Sequence, residues 1–266
     1  MAFVQVEKMR QLCKKFSPCP ISHVPPESAV VIFSVPKSGT NLFRKALEFI
    51  CGCGIYASHL QFTDDNIYLR KHLEIKVIVP LRDPRDVLVS SVYHADIYYR
   101  ADSETPQHYN HLFDPEIPDK PMHYTLTKEF MLEWTRASFD EKLMMYMDPE
   151  KLPISPLYDF ELLDDFITNR PLNTLIVRYE DIIGPLGGGD TVHQKKAVER
   201  IANFVGIPFT TNELYANFSK NIFGDTSTFR KGTIGSWKDH FKPYHTEYFN
   251  KIQNGILEKF LYREIL

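Results

Sequence analysis

The sequence predicts an α/β fold with a mostly parallel central sheet flanked by helices, because it contains three buried strands and each of them leads into a helical pattern. The apolar, β-branched-rich runs are Val30 to Val35, Ile75 to Leu81 and Thr174 to Val177. None alternates between polar and apolar residues, which is the pattern of strands buried on both faces of a parallel sheet. Each run precedes a loop and then a helical pattern, as in strands joined by helices.

Helical patterns occupy two further parts of the chain. A helix is predicted from about Thr127 to Met147, and another from Thr191 to Val205. The glycine-rich "GPLGGGD" near residue 187 predicts a flexible loop before the second of these helices. The stretch from Arg100 to Lys120, crowded with Pro, Asp and Asn, predicts a long loop or lid.

Length and charge limit the classes of protein to which the chain can belong. The 266 residues show no obvious linker, so we expect a single domain over residues 1–266. The net charge is only -3, so neither nucleic acid nor a membrane is expected as a partner. Any bound anion must therefore be held by a local cluster. The oligomeric state stays open.

The N-terminal stretch and the cysteines favour a cytoplasmic protein. "MAFVQVEKMRQLCKKF" lacks the uninterrupted apolar core of a secretion signal. The spacing of Cys13, Cys19, Cys51 and Cys53 fits neither a metal site nor a disulfide framework, so reduced thiols are expected. The histidines are scattered, and we predict no metal site.

The first buried run leads into "VPKSGT", a P-loop-like strand-turn-helix suited to an anion. Such a turn lies at the carboxyl end of the sheet, where several backbone N–H groups point at one spot. Lys37 adds a charge, Ser38 and Thr40 add hydroxyl donors, and Gly39 lets the backbone approach a phosphate or sulfate closely. The lysine precedes the glycine, unlike in a nucleoside triphosphate loop. Taken alone, the motif could be an ordinary turn.

Two further basic features lie elsewhere in the sequence. In "VIVPLRDPRDVLVSSVYH", Arg82 ends the second buried run and Ser90 comes later on a predicted helix. In "TFRKGTIGSWKDHF", Arg230, Lys231 and Gly232 form a basic turn whose N–H groups could bind a phosphate. Taken alone, Arg82 could form a local ion pair and Ser90 could be a packing residue. Together the three features predict a ligand with at least two anionic groups.

The trio "PKSGTN", "RDPRDVLVS" and "FRKGTIGSWKDHF", with "RYEDI" between the last two, resembles the cytosolic sulfotransferase family. These enzymes move a sulfuryl group from 3'-phosphoadenosine 5'-phosphosulfate (PAPS) to an acceptor and release adenosine 3',5'-bisphosphate (PAP). The resemblance extends in order from about Val30 to Phe241. It implies a single α/β domain, PAPS as co-substrate, PAP as product and no metal.

The resemblance also implies roles for individual residues. It implies that the 5'-phosphosulfate is held by Lys37, Ser38, Gly39, Thr40 and Asn41. It implies that the 3'-phosphate is bound by Arg82 and Ser90, with Arg230, Lys231 and Gly232 closing over it. Tyr179 matches the residue beside the adenine, with core packing as the alternative, and Ser219 is a looser match to a residue lining the adenosine.

His59 in "YASHLQF" matches the family's catalytic histidine, which lies in a similar turn. A neutral imidazole with an unperturbed pKa of roughly 6.5 is suited to taking the acceptor's proton. Lys37 would stabilise the charge that grows on the departing nucleotide and on the sulfuryl oxygens. We therefore expect His59 and Lys37 to be the catalytic residues, with a structural histidine as the alternative for His59.

Three positions depart from the family pattern, and one of them is Ser236, where the family's "GDWK" becomes Gly-Ser-Trp-Lys. Leu42, at the cofactor site, stands where the family often has Trp, so adenine stacking would have to come from Phe43 or Phe229. Ala57 replaces a lysine that is common two residues before the catalytic histidine. These departures bear on the affinity for the cofactor rather than on the family.

The aromatic residues between Tyr98 and Trp134 lie in the segment that should cover the acceptor, although most are expected to be ordinary core. We therefore predict in-line sulfuryl transfer to a hydroxyl of a small apolar or aromatic acceptor. One alternative is a catalytically silent PAPS- or PAP-binding regulatory protein. Another is a nucleotide-dependent kinase, for which the GxxxxGKS loop is missing.

Overall fold

The computed structural model describes residues 30–51, 55–59, 69, 72–98, 128–148, 155–169, 172–207, 212–224, 231–253 and 255–260. Predictions for the N-terminal stretch, the 100–120 loop, Cys13, Cys19, Cys53, Phe229 and Arg230 lie outside these residues. In chain order the elements are β1 (Val30–Ser34), α1 (Thr40–Cys51), β2 (Tyr56–His59), β3 (Lys76–Leu81), α2 (Pro84–Tyr98), α3 (Lys128–Arg136), α4 (Phe139–Met147), α5 (Pro156–Asn169), β4 (Thr174–Arg178), α6 (Tyr179–Ile182), a 3-10 turn (Pro185–Gly187), α7 (Thr191–Val205), α8 (Asn212–Ile222), a second 3-10 turn (Ser236–Asp239), α9 (Pro243–Ile252) and α10 (Ile256–Lys259).

The described strands form one parallel sheet in the order β2-β1-β3-β4. The three apolar runs of the sequence are β1, β3 and β4, so the predicted parallel α/β sheet is confirmed. The short strand β2 was not predicted. It pairs with β1 so that Ser34 lies opposite His59.

Helices cover both faces of β1. Successive side chains of a strand point to opposite sides, so neighbouring residues of β1 contact different helices. Ile32 belongs to an apolar cluster with residues of α1, α7 and α8. Phe33 is also fully buried, and its ring centroid lies 4.9 Å from that of Phe166 in α5. Burial on both faces explains why this strand is an unbroken apolar run in the sequence.

The chain divides into two compact units, Met1–Asp83 with Asp159–Gly235, and Pro84–Tyr158 with Ser236–Leu266. The first unit contains the whole described sheet together with α1, α6, α7 and α8. The second contains α2, α3, α4, α9 and α10. The expectation of one domain over residues 1–266 stays a prediction.

In the second unit, α3 and α4 replace the single helix predicted from Thr127 to Met147, and that prediction is wrong. Ser138 accepts a hydrogen bond from Glu141 N at 3.3 Å, and Ser138 N donates to Glu141 Oε2 at 2.7 Å. This reciprocal capping box satisfies backbone groups at the start of a new helix. The interruption at Ser138 therefore has a local cause in the sequence.

Ser236 and Trp237 are held within the second unit by Asp86 of α2. The Asp86 carboxylate is fully buried and accepts hydrogen bonds from Ser236 Oγ at 3.0 Å and from Trp237 N at 2.8 Å. The guanidinium of Arg85 lies 3.8 Å from the centroid of the Trp237 ring. Buried acceptors of this kind are satisfied by hydrogen bonds, so Asp86 fixes the start of the second 3-10 turn.

Three features of the described residues bear on location and metal chemistry. No helix among them is long and apolar enough to cross a membrane. They contain no group of three or more His, Cys, Asp and Glu residues placed to hold a metal ion. Cys51 is buried. The cytoplasmic location and the lack of a metal stay predictions.

Asp159 in α5 should make the stability of the fold depend on pH. Asp159 is only 4% exposed, and burial raises the pKa of its carboxyl group to about 8. In the unfolded chain the same carboxyl titrates near a pKa of about 3.9. Between these values the folded state holds a proton that unfolding releases. The free energy of unfolding should therefore fall as pH rises through this window, by up to ~1.4 kcal/mol per pH unit.

Urea unfolding of the wild type and of Asp159→Asn at about pH 5 and about pH 8 measures this effect. Asn cannot ionise, so the variant should lose this part of the pH dependence and gain stability relative to the wild type at the higher pH. Asp165→Asn, at an exposed position of the same helix, is the matched control and should keep it. Identical pH dependence in wild type and Asp159→Asn would contradict the prediction.

Candidate functional site

The turn after β1 bends sharply into α1. Ser38 is fully buried, and both its N and its Oγ donate to Val35 O, at 3.2 and 2.6 Å. Lys37 has φ of 67° and Gly39 has φ of 102°, both in the left-handed region. Asn41 lies partly buried in the first turn of α1. The N–H groups that begin α1 therefore face the carboxyl end of β1, as the sequence predicted for an anion-binding turn.

Gly39 is required by the close approach of Tyr179. A Cβ atom at Gly39 would lie 2.5 Å from Tyr179 Cδ2, a distance that real atoms do not tolerate. Tyr179 is 4% exposed and begins α6 directly after β4 ends at Arg178. The turn and α6 are thus packed edge to edge, and a larger residue at position 39 would push them apart.

His59 is the last residue of β2 and lies beside Ser34 rather than in a turn. Its Nδ1 atom is 3.2 Å from Ser34 Oγ and 3.3 Å from Ser34 O. Ser34 Oγ is also 2.8 Å from Thr40 Oγ1 at the start of α1. Because β1 and β2 are parallel, their carboxyl ends bring His59 to the edge of the sheet that carries the Lys37 turn.

Burial lowers the pKa values of both predicted catalytic residues. Burial is the main cause for His59, the hydrogen bond to Ser34 O opposes it, the Lys37 charge adds to it, and the resulting pKa is about 4. Burial and the nearby charge of Arg82 lower the pKa of Lys37 to about 8. At neutral pH the imidazole is therefore uncharged. The positive charges of Lys37 and Arg82 repel each other, and this repulsion favours the binding of an anion beside them.

Arg82, directly after β3, links three parts of the first unit. Its Nη1 donates to Lys37 O at 3.2 Å, and its guanidinium carbon lies 4.4 Å from the centroid of the Tyr179 ring. Its Nη2 donates to Thr233 O at a longer 3.5 Å. The side chain is 8% exposed. A guanidinium held on three sides in this way is fixed in position before any ligand binds.

The basic turn near residue 231 reaches this edge through Thr233. Lys231 is exposed, and Gly232 has φ of 62°. The third member of the predicted turn, Arg230, lies outside the described residues. Lys37, Arg82 and the segment that starts at Lys231 are therefore neighbours, although they are far apart in sequence. Their roles toward a ligand stay predictions.

Other predicted site residues have different surroundings. Ser90 is partly buried on α2 in the second unit. Ser219 of α8 donates its hydroxyl to Gln194 Oε1 at 3.0 Å. Leu42 is 9% exposed in the apolar cluster around α1, and Phe43 is fully buried in the same cluster. The suggestion that Phe43 stacks on adenine is therefore wrong.

Ser34 and Thr233 are contact residues that the sequence interpretation missed. Ser34 is the one polar residue in the run from Val30 to Val35, and this signal at the end of a buried strand was available. Thr233 contributes a backbone carbonyl to Arg82. Every residue has such a carbonyl, so no side-chain pattern could have identified it.

Comparisons with known proteins agree with this fold. The family model described as "Sulfotransferase domain" matches residues 55–260, a range that begins after the Lys37 turn. A comparison with curated protein sequences gave no match. Among solved structures, the crystal structure of mouse sulfotransferase SULT7A1 complexed with PAP has a TM-score of 0.57 and 17% sequence identity, covering 91% of this chain and 92% of that chain.

At 17% identity, the likeness to the mouse protein establishes a shared fold. The family model carries the assignment, because its match extends over most of the chain, from β2 to α10. The predicted enzyme class, a sulfotransferase, is thereby confirmed. The chain belongs to the sulfotransferase family.

Proposed function

We propose that this chain transfers the sulfuryl group of PAPS to a hydroxyl of a small apolar or aromatic acceptor in the cytoplasm. One observation carries the proposal: Lys37, Arg82 and His59 lie close together at one edge of the sheet. Arg82 Nη1 is 3.2 Å from Lys37 O, and the charge of Lys37 lowers the pKa of His59. Two cations beside a neutral base suit an anionic donor and a proton-releasing acceptor. The mouse relative was solved with PAP, which supports an adenosine bisphosphate as the ligand.

In this proposal the 5' and 3' ends of the nucleotide bind to different residues at the carboxyl end of the sheet. The 5'-phosphosulfate binds to the Lys37 turn and to the N–H groups at the start of α1. The 3'-phosphate binds to Arg82, whose planar guanidinium suits bidentate contact with phosphate oxygens. Lys231 and Gly232 approach the same phosphate, while Arg230 and Ser90 stay contacts predicted from the family resemblance. The adenine lies beside Tyr179.

The proposed chemistry is a single in-line displacement. The acceptor oxygen forms a bond to sulfur while the bond from sulfur to the 5'-phosphate oxygen breaks, and PAP leaves. When Nδ1–H of His59 donates to Ser34 O, the lone pair of the neutral ring lies on Nε2, which takes the acceptor's proton. Lys37 stabilises the negative charge on the leaving oxygen. A bound donor carries several negative charges and should raise the pKa of His59 from about 4.

The proposal of an apolar or aromatic acceptor is based on the aromatic residues between Tyr98 and Trp134. Most of the aromatic stretch between Tyr98 and Trp134 lies outside the described residues. Trp134 itself is 1% exposed and packs edge-on against Tyr146 with ring centroids 5.5 Å apart. Trp134 is therefore a core residue, which was the alternative for most of these aromatics.

Calorimetry with PAP tests the nucleotide site through Arg82→Met. The variant removes a charge-assisted contact to phosphate, so the dissociation constant should rise roughly 10- to 100-fold. Arg44→Met is the matched control, because Arg44 lies on the exposed side of α1 and pairs with Glu48 at 4.0 Å. Its affinity for PAP should equal that of the wild type. No heat of binding with wild type, or equal affinity in Arg82→Met, would contradict the proposed site.

A screen of phenols and alcohols with PAPS tests the proposed reaction. We expect at least one apolar or aromatic acceptor to receive sulfate and PAP to accumulate in equal amount. PAP binding without turnover on any acceptor would instead favour a silent nucleotide-binding protein. Phosphate transfer from a nucleoside triphosphate would favour the kinase alternative.

A further inference from the structure

The glycine-rich turn after α6 packs against the segment that carries Lys231 and Gly232. The sequence predicted a flexible loop here, but Pro185–Gly187 is a 3-10 turn closed by local hydrogen bonds. Gly187 N donates to Gly184 O at 3.1 Å, and Gly189 N donates to the same oxygen at 2.8 Å. Gly187 is buried. The prediction of a flexible loop is therefore wrong for this stretch.

Gly187 touches the backbone of the Lys231–Ile234 segment at two points. Ile234 N donates to Gly187 O at 3.0 Å. A Cβ atom at position 187 would lie 2.6 Å from Gly232 O and 2.1 Å from the Ile183 side chain. Both separations are shorter than non-bonded atoms allow, and the first is to backbone, which cannot turn away as a side chain can. The lack of a side chain at Gly187 is thus what lets the segment lie this close.

The same segment contacts Arg82 through Thr233, which lies between Gly232 and Ile234. Thr233 O accepts from Arg82 Nη2 at 3.5 Å. On its other side Arg82 lies over the ring of Tyr179, where α6 begins. The neighbouring Glu180 accepts from Asp83 N through its Oε1 at 3.0 Å. The stretch from Tyr179 to Gly187 therefore contacts Arg82 in two ways. Tyr179 contacts Arg82 directly, and Gly187 contacts the segment whose Thr233 accepts from Arg82.

We infer that Gly187 is a positioning residue that seats the Lys231–Ile234 segment against Arg82, and that it thereby sets the preference for a nucleotide with a 3'-phosphate. The inference rests on the proposed function, in which Arg82, Lys231 and Gly232 bind that phosphate. Gly187 itself does not touch the ligand. A side chain there moves the carbonyl of Gly232 and, with it, the donors aimed at the 3'-phosphate.

The test compares the affinities of wild type and Gly187→Ala for PAP and for adenosine 5'-monophosphate, which lacks the 3'-phosphate. The variant should bind PAP roughly 10-fold or more weakly, because charge-assisted contacts are lost. Its affinity for the monophosphate should change by less than about 3-fold, since the Lys37 turn is untouched. In turnover the variant should raise KM for PAPS and leave kcat at saturating PAPS nearly unchanged. A general loss of structure would not produce this selectivity.

Gly188→Asn is the matched control in the same turn. A Cβ at Gly188 would meet no atom within 4 Å, and Asn accepts its left-handed φ of 86° more readily than other residues do. It should keep the wild-type ratio of the two affinities. Equal ratios in wild type and Gly187→Ala would overturn the inference. If wild type bound neither nucleotide, the proposed function would fail instead.

Hydrogen exchange on the wild type provides a second test should Gly187→Ala not fold. The Ile234 amide should be protected without nucleotide, because its bond to Gly187 O is already formed. PAP should slow its exchange further, whereas adenosine 5'-monophosphate should have little effect. Exchange at the rate of an unstructured amide, with or without PAP, would overturn the inference.

Discussion

Replacing His59 with Ala should lower turnover of PAPS and acceptor roughly 100- to 10,000-fold, the range expected for loss of a general base. PAP affinity should stay within about 3-fold of wild type, because the proposed phosphate contacts come from the Lys37 turn and Arg82. Steady-state kinetics and calorimetry on the same preparation measure both quantities. The combination separates an enzyme from a silent nucleotide-binding protein.

The pH profile gives a second readout for His59. Burial lowers its pKa to about 4, so the base stays neutral well below the usual range for histidine. The wild-type kcat/KM should therefore hold its value down to about pH 5 and decline only as the ring of the free enzyme becomes protonated. His72→Ala is the matched control, since His72 is hydrogen-bonded to Glu74 at 2.9 Å near the surface, and it should leave kcat unchanged. An acid limb near the unperturbed histidine value, or full turnover in His59→Ala, would disprove the assignment.

Replacing Lys37 with Met should lower kcat roughly 100- to 1,000-fold, as expected when one preorganised charge at the leaving group is removed. Burial and the charge of Arg82 hold the pKa of Lys37 at about 8 in the free protein. As pH rises through that value, the wild type should lose the charge and with it kcat/KM. A bound anion favours the charged lysine, so kcat itself should persist to higher pH. Rate measurements across the alkaline range distinguish the two.

Lys196→Met controls for the loss of a lysine, because Lys196 is exposed on α7. Its pH profile should match that of the wild type. Lys37→Met should show no alkaline limb near pH 8, because the titrating group is gone. An unchanged kcat in Lys37→Met, or an alkaline limb that survives the substitution, would show that another residue stabilises the leaving group.

How much of the fold could be predicted depended on where each signal lies. β1, β3 and β4 were found because strands buried on both faces are continuous apolar runs. β2 was missed because Tyr56–His59 is only four residues long and ends in Ser and His. The break at Ser138 had a local signal, a Ser with Glu141 three residues later, that the apolar stripe concealed.

For the candidate site, too, local sequence patterns predicted some residues, whereas contacts between distant segments were not predicted. Lys37, Gly39 and Arg82 were predicted as site residues because each stands at the end of a predicted strand, where ligands bind in such sheets. His59 was predicted through the family resemblance alone. The contact between Gly187 and Gly232 joins segments that are distant in sequence, and a glycine-rich stretch by itself indicates flexibility. Such a contact exists only once the chain has folded, so the sequence pattern misled.

The backbone of Lys37, the residue that we propose stabilises the leaving group, has a left-handed φ of 67°. A left-handed residue with a long side chain costs roughly 1 kcal/mol, and Gly or Asn at that position would relieve most of it. Selection of variants for thermal stability alone should therefore replace Lys37 early. The selected variants should be more stable but lack the proposed catalytic charge. Any directed-evolution campaign would have to screen for turnover at every round.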